Sequence, residues 1–267
     1  MKILTLDLGN STLFAGFFRD GKLVRSSRID VGRGRRTPPG KSFDIRKAGF
    51  GDPALQLKKL ARGKVDRIAL CSVVPKQTPR LARLLKKTFG LVPLILTTAS
   101  PHGLMLAYHR PEELGVDRLA TALGAQKLYP RKNVMVVDCG TATTLTLLRR
   151  DGCLLGGAIM PGAALWAQAL AQRTAQLPEV KLQLPKQVVG RDTATAMRSG
   201  ILHGHIGAIR ELVKISRAEA FGRSPAVVLG TGGLVTHFKS QSLFTAVEPA
   251  LILHGLQAFV LRIISHE

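Results

Sequence analysis

The chain has 267 residues, enough for two domains of about 130 residues each. Lysine and arginine number 39 against 17 aspartates and glutamates, a formal net charge of +22; the 45% hydrophobic share with few aromatics is that of a soluble globular protein. No apolar run approaches the ~20 residues that span a bilayer, Asp7 breaks the N-terminal apolar run so no secretory leader is expected, and the scattered Cys71, Cys139 and Cys153 give neither a disulfide framework nor a zinc spacing but reduced thiols in a cytoplasm.

A β-rich run, Ile3 to Leu6, leads into Asp7-Leu8-Gly9-Asn10-Ser11-Thr12, and the returning strand closes at Arg19-Asp20-Gly21, so the first element is a hairpin. From Arg25 the sequence turns basic and, through Gly32 to Gly40, Gly/Pro-rich, which reads as a solvated loop. Helical spacing covers Asp52 to Arg62, a strand runs from Asp66 to Val74, a basic amphipathic helix spans Thr78 to Phe89, and Leu91 to Leu96 is the next strand. Pro111 and Gly115 keep Tyr108 to Arg118 from forming a long helix; a helix then runs from Arg118 to Leu128, with Asp117 in the position of a cap. The inter-domain joint is expected here, giving domains 1–115 and 116–267, with the closing helix free to pack back on the first.

The stretch from Asn133 to Leu154 repeats the N-terminus. Aligned without gaps, Asp7, Gly9, Thr12, Arg19, Asp20, Gly21 and Leu23 fall on Asp138, Gly140, Thr143, Arg150, Asp151, Gly152 and Leu154. One D-x-G turn is usually a plain hairpin. Two in register argue for a duplicated domain, with both turns facing one cleft and placing carboxylates, hydroxyls and backbone N–H groups around a polyphosphate and its metal. Gly156 to Gly162 suggests backbone held close to a ligand or to other backbone. A helix from Ala163 to Ala171 carries Trp166, the one tryptophan, placed either in the core or at a subunit interface. Leu177 to Gln187 is an irregular link, followed by a long helix from Asp192 to Lys214. In that helix His203 and His205 do not share a face, so they are core or surface histidines and not a metal pair. A strand from Ala226 to Leu229 ends in Gly230-Thr231-Gly232-Gly233, where glycines let backbone N–H groups approach a nucleotide. Glu248-Pro249 leads into the closing helix.

Repeated strand–acidic-turn–strand units with a late glycine turn resemble the actin, sugar-kinase and heat-shock-chaperone ATPase superfamily. That implies an α/β fold of two duplicated actin-like (ribonuclease H-like) domains with a nucleotide cleft between them. Over essentially the full length the chain resembles type III pantothenate kinase. The resemblance rests on Asp7 to Ser11, Ser72 to Pro75, Tyr108 with Pro111, Gly115 to Arg118, Asp138 to Thr144, Gly156 to Gly162, Asp192-Thr193, Thr231 to Gly233 and the tail from Pro249 to Leu256, in family order. It implies ATP-dependent phosphorylation of pantothenate to 4'-phosphopantothenate, the first step of coenzyme A biosynthesis, in a cytoplasmic homodimer. Asp7, Leu8, Gly9, Asn10, Ser11, Thr12, Leu13 and Phe14 would hold ATP, with Asp7 in the Mg²⁺ shell, and Thr141 would contact ATP. Tyr108, Gly115, Val116, Asp117, Arg118 and Thr193 would contact pantothenate, with Asp117 as proton acceptor. Asp138 would hold a monovalent cation, K⁺ or NH₄⁺.

The family usually has an acidic residue where Thr146 stands, and Arg110, Asp192 and Glu248 also depart from common choices; none of these is a named catalytic group. Two other readings are another small-molecule kinase or phosphatase of the superfamily, and a non-catalytic regulatory or nucleic-acid-binding relative. The Tyr108 to Arg118 segment argues against the first. The presence of Asp117 and Asp138 argues against the second, whose support is the net charge. The charge attracts anions, but the basic residues are dispersed and not interleaved with aromatics as single-strand binders need. Nucleic-acid binding is therefore expected to be at most weak and non-specific, and no membrane contact is expected.

Overall fold

The computed structural model describes residues 1–10, 12–30 and 52–266. The basic Gly/Pro-rich segment and Ser11 lie outside the described residues. The chain divides into two compact units, Met1–Leu104 with Tyr108–Leu128 and Ala250–Glu267, and Met105–Ala107 with Tyr129–Pro249.

In the first unit β1 (Lys2–Leu8) pairs antiparallel with β2 (Thr12–Arg19), which pairs antiparallel with β3 (Lys22–Asp30). On its other side β1 runs parallel to β4 (Arg67–Ser72), and β4 to the short β5 (Leu94–Ile95). Ile3, Leu4, Thr5 and Leu6 are all buried, the continuous run of a strand covered on both faces. Helix α1 (Pro53–Ala61) starts where the Asp52 carboxylate accepts the Ala54 N–H at 2.9 Å, with Pro53 in its first turn. Helix α2 (Thr78–Phe89) stops at Gly90, whose φ of 72° supplies the left-handed cap. Leu57 and Leu60 of α1 and Leu81 and Leu85 of α2 share one core cluster with Leu4, Leu6, Leu8 and Leu13 of the sheet.

Helix α3 (Val116–Leu128) and α6 (Leu251–Ile264) complete this unit. They approach backbone to backbone: a Cβ on Gly255 would collide with the Ala120 carbonyl, and one on Gly124 with the Leu251 carbonyl. This pairing moves the expected boundary. Residues 116–128 pack with α6 in the first unit, not at the head of the second, because Ala120 and Gly124 meet Gly255 and Leu251 backbone to backbone.

In the second unit β7 (Asn133–Cys139), β8 (Ala142–Leu148) and β9 (Cys153–Pro161) form an antiparallel meander, and β10 (Ala226–Thr231) runs parallel to β7. The order β9-β8-β7-β10, continued by the short β11 (Ala246–Val247), repeats β3-β2-β1-β4-β5; the second sheet adds β6 (Met105–Leu106) at its β9 edge. Helices α4 (Ala163–Arg173) and α5 (Thr193–Phe221) bury Ala163, Ala167, Met197, Ile201 and Ile206 in the second core. Asp192 and Thr195 form a reciprocal capping box at the start of α5.

The strand repeat is genuine, but the gapless alignment slips in the returning strand. Asp7 faces Phe14 and Leu8 faces Leu13, whereas Asp138 faces Thr144 and Cys139 faces Thr143. The second turn is one residue shorter, closed by Gly140 N–H to the Ala142 carbonyl at 3.1 Å, against Gly9 N–H to the Thr12 carbonyl at 2.9 Å.

Candidate functional site

Each unit brings an acidic residue to the same end of its central strand. In the first unit the β1–β4 register sets Cys71 beside Asp7. The Cys71 thiol is fully buried, and burial first, then the charges of Asp7 and Asp117 and a hydrogen bond with Asp7, push its pKa well up. It therefore stays an S–H donor toward Asp7, and Asp7, Cys71 and Asp117 share one electrostatic neighbourhood. Of the residues expected around ATP, Asp7, Gly9, Asn10 and Thr12 are partly or fully accessible, while Leu8, Leu13 and Phe14 are buried. Leu8 and Leu13 belong to the core, and Phe14 lies under the Arg28 guanidinium at 3.8 Å from the ring centroid. These three can offer a ligand only their backbone.

Asp117 lies in the first turn of α3, not before it. The helix begins at Val116, and Oδ1 of Asp117 accepts the Arg118 N–H at 2.8 Å, so the expected N-cap is corrected to a first-turn carboxylate. It meets one of the N–H groups that every helix start leaves over. A Cβ added at Gly115 would meet Asp117 Oδ1, so a side chain there would displace that carboxylate from its present position. Arg118 is 6% exposed; its Nη1 donates to the Tyr108 hydroxyl at 2.6 Å, with the guanidinium carbon 5.8 Å from that ring's centroid. Tyr108, Gly115, Val116, Asp117 and Arg118 are thus gathered in the first unit. Thr193 belongs to the second, where it opens α5 behind Asp192.

In the second unit Asp138 pairs with Thr144 on one side and Thr231 on the other. Its surroundings depend on two glycines. Gly232 has φ +93°, and a Cβ there would strike Asp138 Oδ1 and the Cys139 carbonyl; Leu234 N–H then donates to that carbonyl at 2.9 Å. Gly162, just before α4, donates to the Thr141 carbonyl at 3.0 Å and has no space for a Cβ against the Gly140 and Thr141 carbonyls. Thr141 stands exposed at the tip of the turn. Burial, then Asp138, pushes the Cys139 thiol up to about 12. Of the two histidines in α5, His205 is fully buried.

Among the described residues no group of three or more His, Cys, Asp or Glu could cage a metal. The donors beside the turns are single carboxylates with hydroxyl and carbonyl oxygens. Such a set suits hard, oxygen-preferring cations that keep water or share phosphate oxygens. Gly162 and Gly232 fall within the two glycine stretches that the sequence marks as close to a ligand, while Cys71 and His205 are not among the expected site residues. The glycines carried a signal, being glycines next to strand ends; Cys71 and His205 carried none, since only the strand and helix registers bring them to the turns.

A family model described as type III pantothenate kinase matches residues 3–215. A protein named type III pantothenate kinase from Legionella pneumophila (strain Corby) is 36% identical over 256 residues, 96% of each chain. Type III pantothenate kinase 1 of Francisella tularensis subsp. holarctica (strain OSU18) is 32% identical over 255 residues, covering 96% of this chain and 97% of that one. Among solved structures, a Baf family protein from Campylobacter jejuni superposes with TM-score 0.59 at 17% identity over 98% of this chain and 99% of that one. Component A of (R)-2-hydroxyglutaryl-CoA dehydratase from Acidaminococcus fermentans superposes with TM-score 0.51 at 12% identity, over 98% and 97%. These two likenesses establish the two-domain actin-like fold.

Proposed function

The chain belongs to the type III pantothenate kinase family, and from that premise we propose the roles its residues take in the reaction. The protein phosphorylates pantothenate at the expense of ATP, opening coenzyme A biosynthesis. Phosphoryl transfer asks the protein for positioning and charge neutralisation more than for covalent chemistry. Asp117 accepts the proton of the attacking pantothenate hydroxyl. Arg118, held by Tyr108, orients the substrate, and Thr193 adds a further contact. The observation that carries this reading is the gathering of Asp117, Arg118 and Tyr108 in one unit, with Arg118 buried and fixed.

The turn from Asp7 to Thr12 offers its carboxylate, hydroxyls and N–H groups to the ATP phosphates, and Thr141 contacts ATP from its own turn. Mg²⁺, carried with ATP, supplies neutralisation of the phosphate charge. Asp138, with the Cys139 carbonyl and the close approach of Gly232, holds a monovalent cation, K⁺ or NH₄⁺. The working form is a cytoplasmic homodimer. Among the described residues no helix is long and apolar enough to cross a membrane. The +22 charge gives only weak, salt-sensitive contact with nucleic acid. A coupled assay of ADP release tests the reading directly. Turnover should depend on pantothenate; release of ADP at the same rate without it would overturn the assignment of these roles.

A further inference from the structure

Just behind the second turn the core buries a polar pair. Oγ1 of Thr143 and Nε2 of His205 lie 2.9 Å apart, in residues 4% and 0% exposed. Trp166 meets the imidazole edge-on, with centroids 5.4 Å apart and planes at 86°, and Phe238 stacks on it at 5.5 Å and 29°. Nδ1 is buried with no hydrogen-bond partner among the described residues. Burial lowers the His205 pKa, so the ring is neutral and Thr143 takes its one side-chain hydrogen bond.

The contacts close into a ring. Thr143 lies two residues past Thr141. Gly162 N–H holds the Thr141 carbonyl, Trp166 N–H holds the Gly162 carbonyl at 3.1 Å, and the Trp166 ring lies on His205. In the first hairpin Leu13 stands in the place of Thr143 and is wholly buried in hydrocarbon. A hairpin of this type therefore folds with an apolar residue at that place. A buried polar pair adds direction, not driving force, because it is favourable only while the bond is made.

We propose that His205 is a positioning residue for nucleotide binding, fixing the Gly140–Thr141 turn through Thr143 on one side and Trp166 on the other. The inference rests on the reading above that this turn contacts ATP, and the experiment separates the two. Hydrogen exchange of residues 139–143 in the parent protein should slow when Mg-ATP is added; no slowing would remove the turn from the ATP site and the proposal with it. Three variants then address His205. His205→Phe keeps a ring between Trp166 and Phe238 but loses the bond, His205→Gln offers an amide at similar reach, and Thr143→Val removes one hydroxyl. His205→Phe and Thr143→Val should each raise KM for ATP about tenfold, the scale of a buried hydroxyl left unpaired. The kcat and KM for pantothenate should stay near the parent values. The double variant should be no worse than either single, and Gln should restore part of the loss. The fluorescence of Trp166 reports whether the packing survives. Unchanged KM for ATP with the turn still protected by ATP, or additive single effects, would reduce His205 to a core residue. Should His205→Phe fail to fold, Thr143→Val and His205→Gln decide by the same readings.

Discussion

The two acidic turns stand on the same strand frame and are finished differently. The first leaves four residues, 9–12, between its last paired positions and the second three, 140–142. Behind the first is hydrocarbon, Leu13 against Leu8; behind the second is Thr143 bonded to His205. At Gly9 an added Cβ would lie 3.4 Å from the Thr12 carbonyl, ordinary contact, while at Gly162 it would collide with the backbone of the second turn. The first turn lies in the unit that also carries Asp117; the second is met from the α4 side by Gly162 and has the Thr143–His205 bond to α5 behind it. Duplication supplied two equal frames, and a one-residue change of turn length shifted which side chain lies behind each. In a strand such a shift changes the face each residue presents.

The largest test of this division is chemical. Asp117→Asn keeps the shape and the acceptor oxygen for the Arg118 N–H but cannot take a proton. General-base catalysis contributes about 10²–10⁴-fold, so kcat should fall by a factor in that range, with KM for ATP and the melting temperature little moved. Turnover within a few-fold of the parent would take the base away from Asp117 and leave the first unit without its chemical role. The next effect is ionic. If Asp138 holds a monovalent cation, activity should be much higher in potassium or ammonium than in sodium at equal ionic strength; equal rates in the three salts would remove the ion site from the second turn.

A smaller effect contrasts the frames themselves. Gly162→Ala should cost about 1–3 kcal/mol, as overpacking against fixed backbone does, read as a lowered urea midpoint. Gly9→Ala should stay within about 0.5 kcal/mol. Equal losses would mean that the second turn is no more tightly framed than the first. The smallest effect concerns Cys139. Its folded pKa is raised, so its contribution to stability is complete below the ordinary thiol value of about 8.5 and is lost as pH rises from there toward about 12. The stability difference between the parent and Cys139→Ala should therefore shrink between pH 8 and pH 11. A constant difference would show that the thiol ionises as it does in water.

Much of this was legible from residues alone, for reasons that differ by element. Helix α2 is bounded where the sequence reading placed it, because a proline in its first turn and Gly90 mark its ends chemically. Strand β3 is not expected from the sequence, which reads as a basic loop from Arg25. As the edge of its sheet it carries Arg25 and Arg28, charged residues that blunt an edge and hide its alternation. Helix α5 runs on to Phe221, past the expected end at Lys214, because its last turns are polar and carry no breaker before Gly222. The site divides in the same way. Asp7, Asp138 and their glycines follow the strand ends and could be read directly. Cys71 reaches Asp7 only through the β1–β4 register, and His205 reaches Thr143 across 62 positions of chain, so neither has a local signature.

Helix α6 has one more consequence, in the order of synthesis. The first unit is interrupted: between α3 and α6 the chain makes the whole stretch from Tyr129 to Pro249 before returning. The face of α3 cut close with Gly124 to receive Gly255 and Leu251 lacks that partner while the stretch is being translated. An emerging chain can therefore complete the inserted unit while the half that carries Asp117 waits for α6 to leave the ribosome. A chain stopped before Ala250 would lack the helix that meets Ala120 and Gly124, and the unit bearing the proposed base would be the one left open.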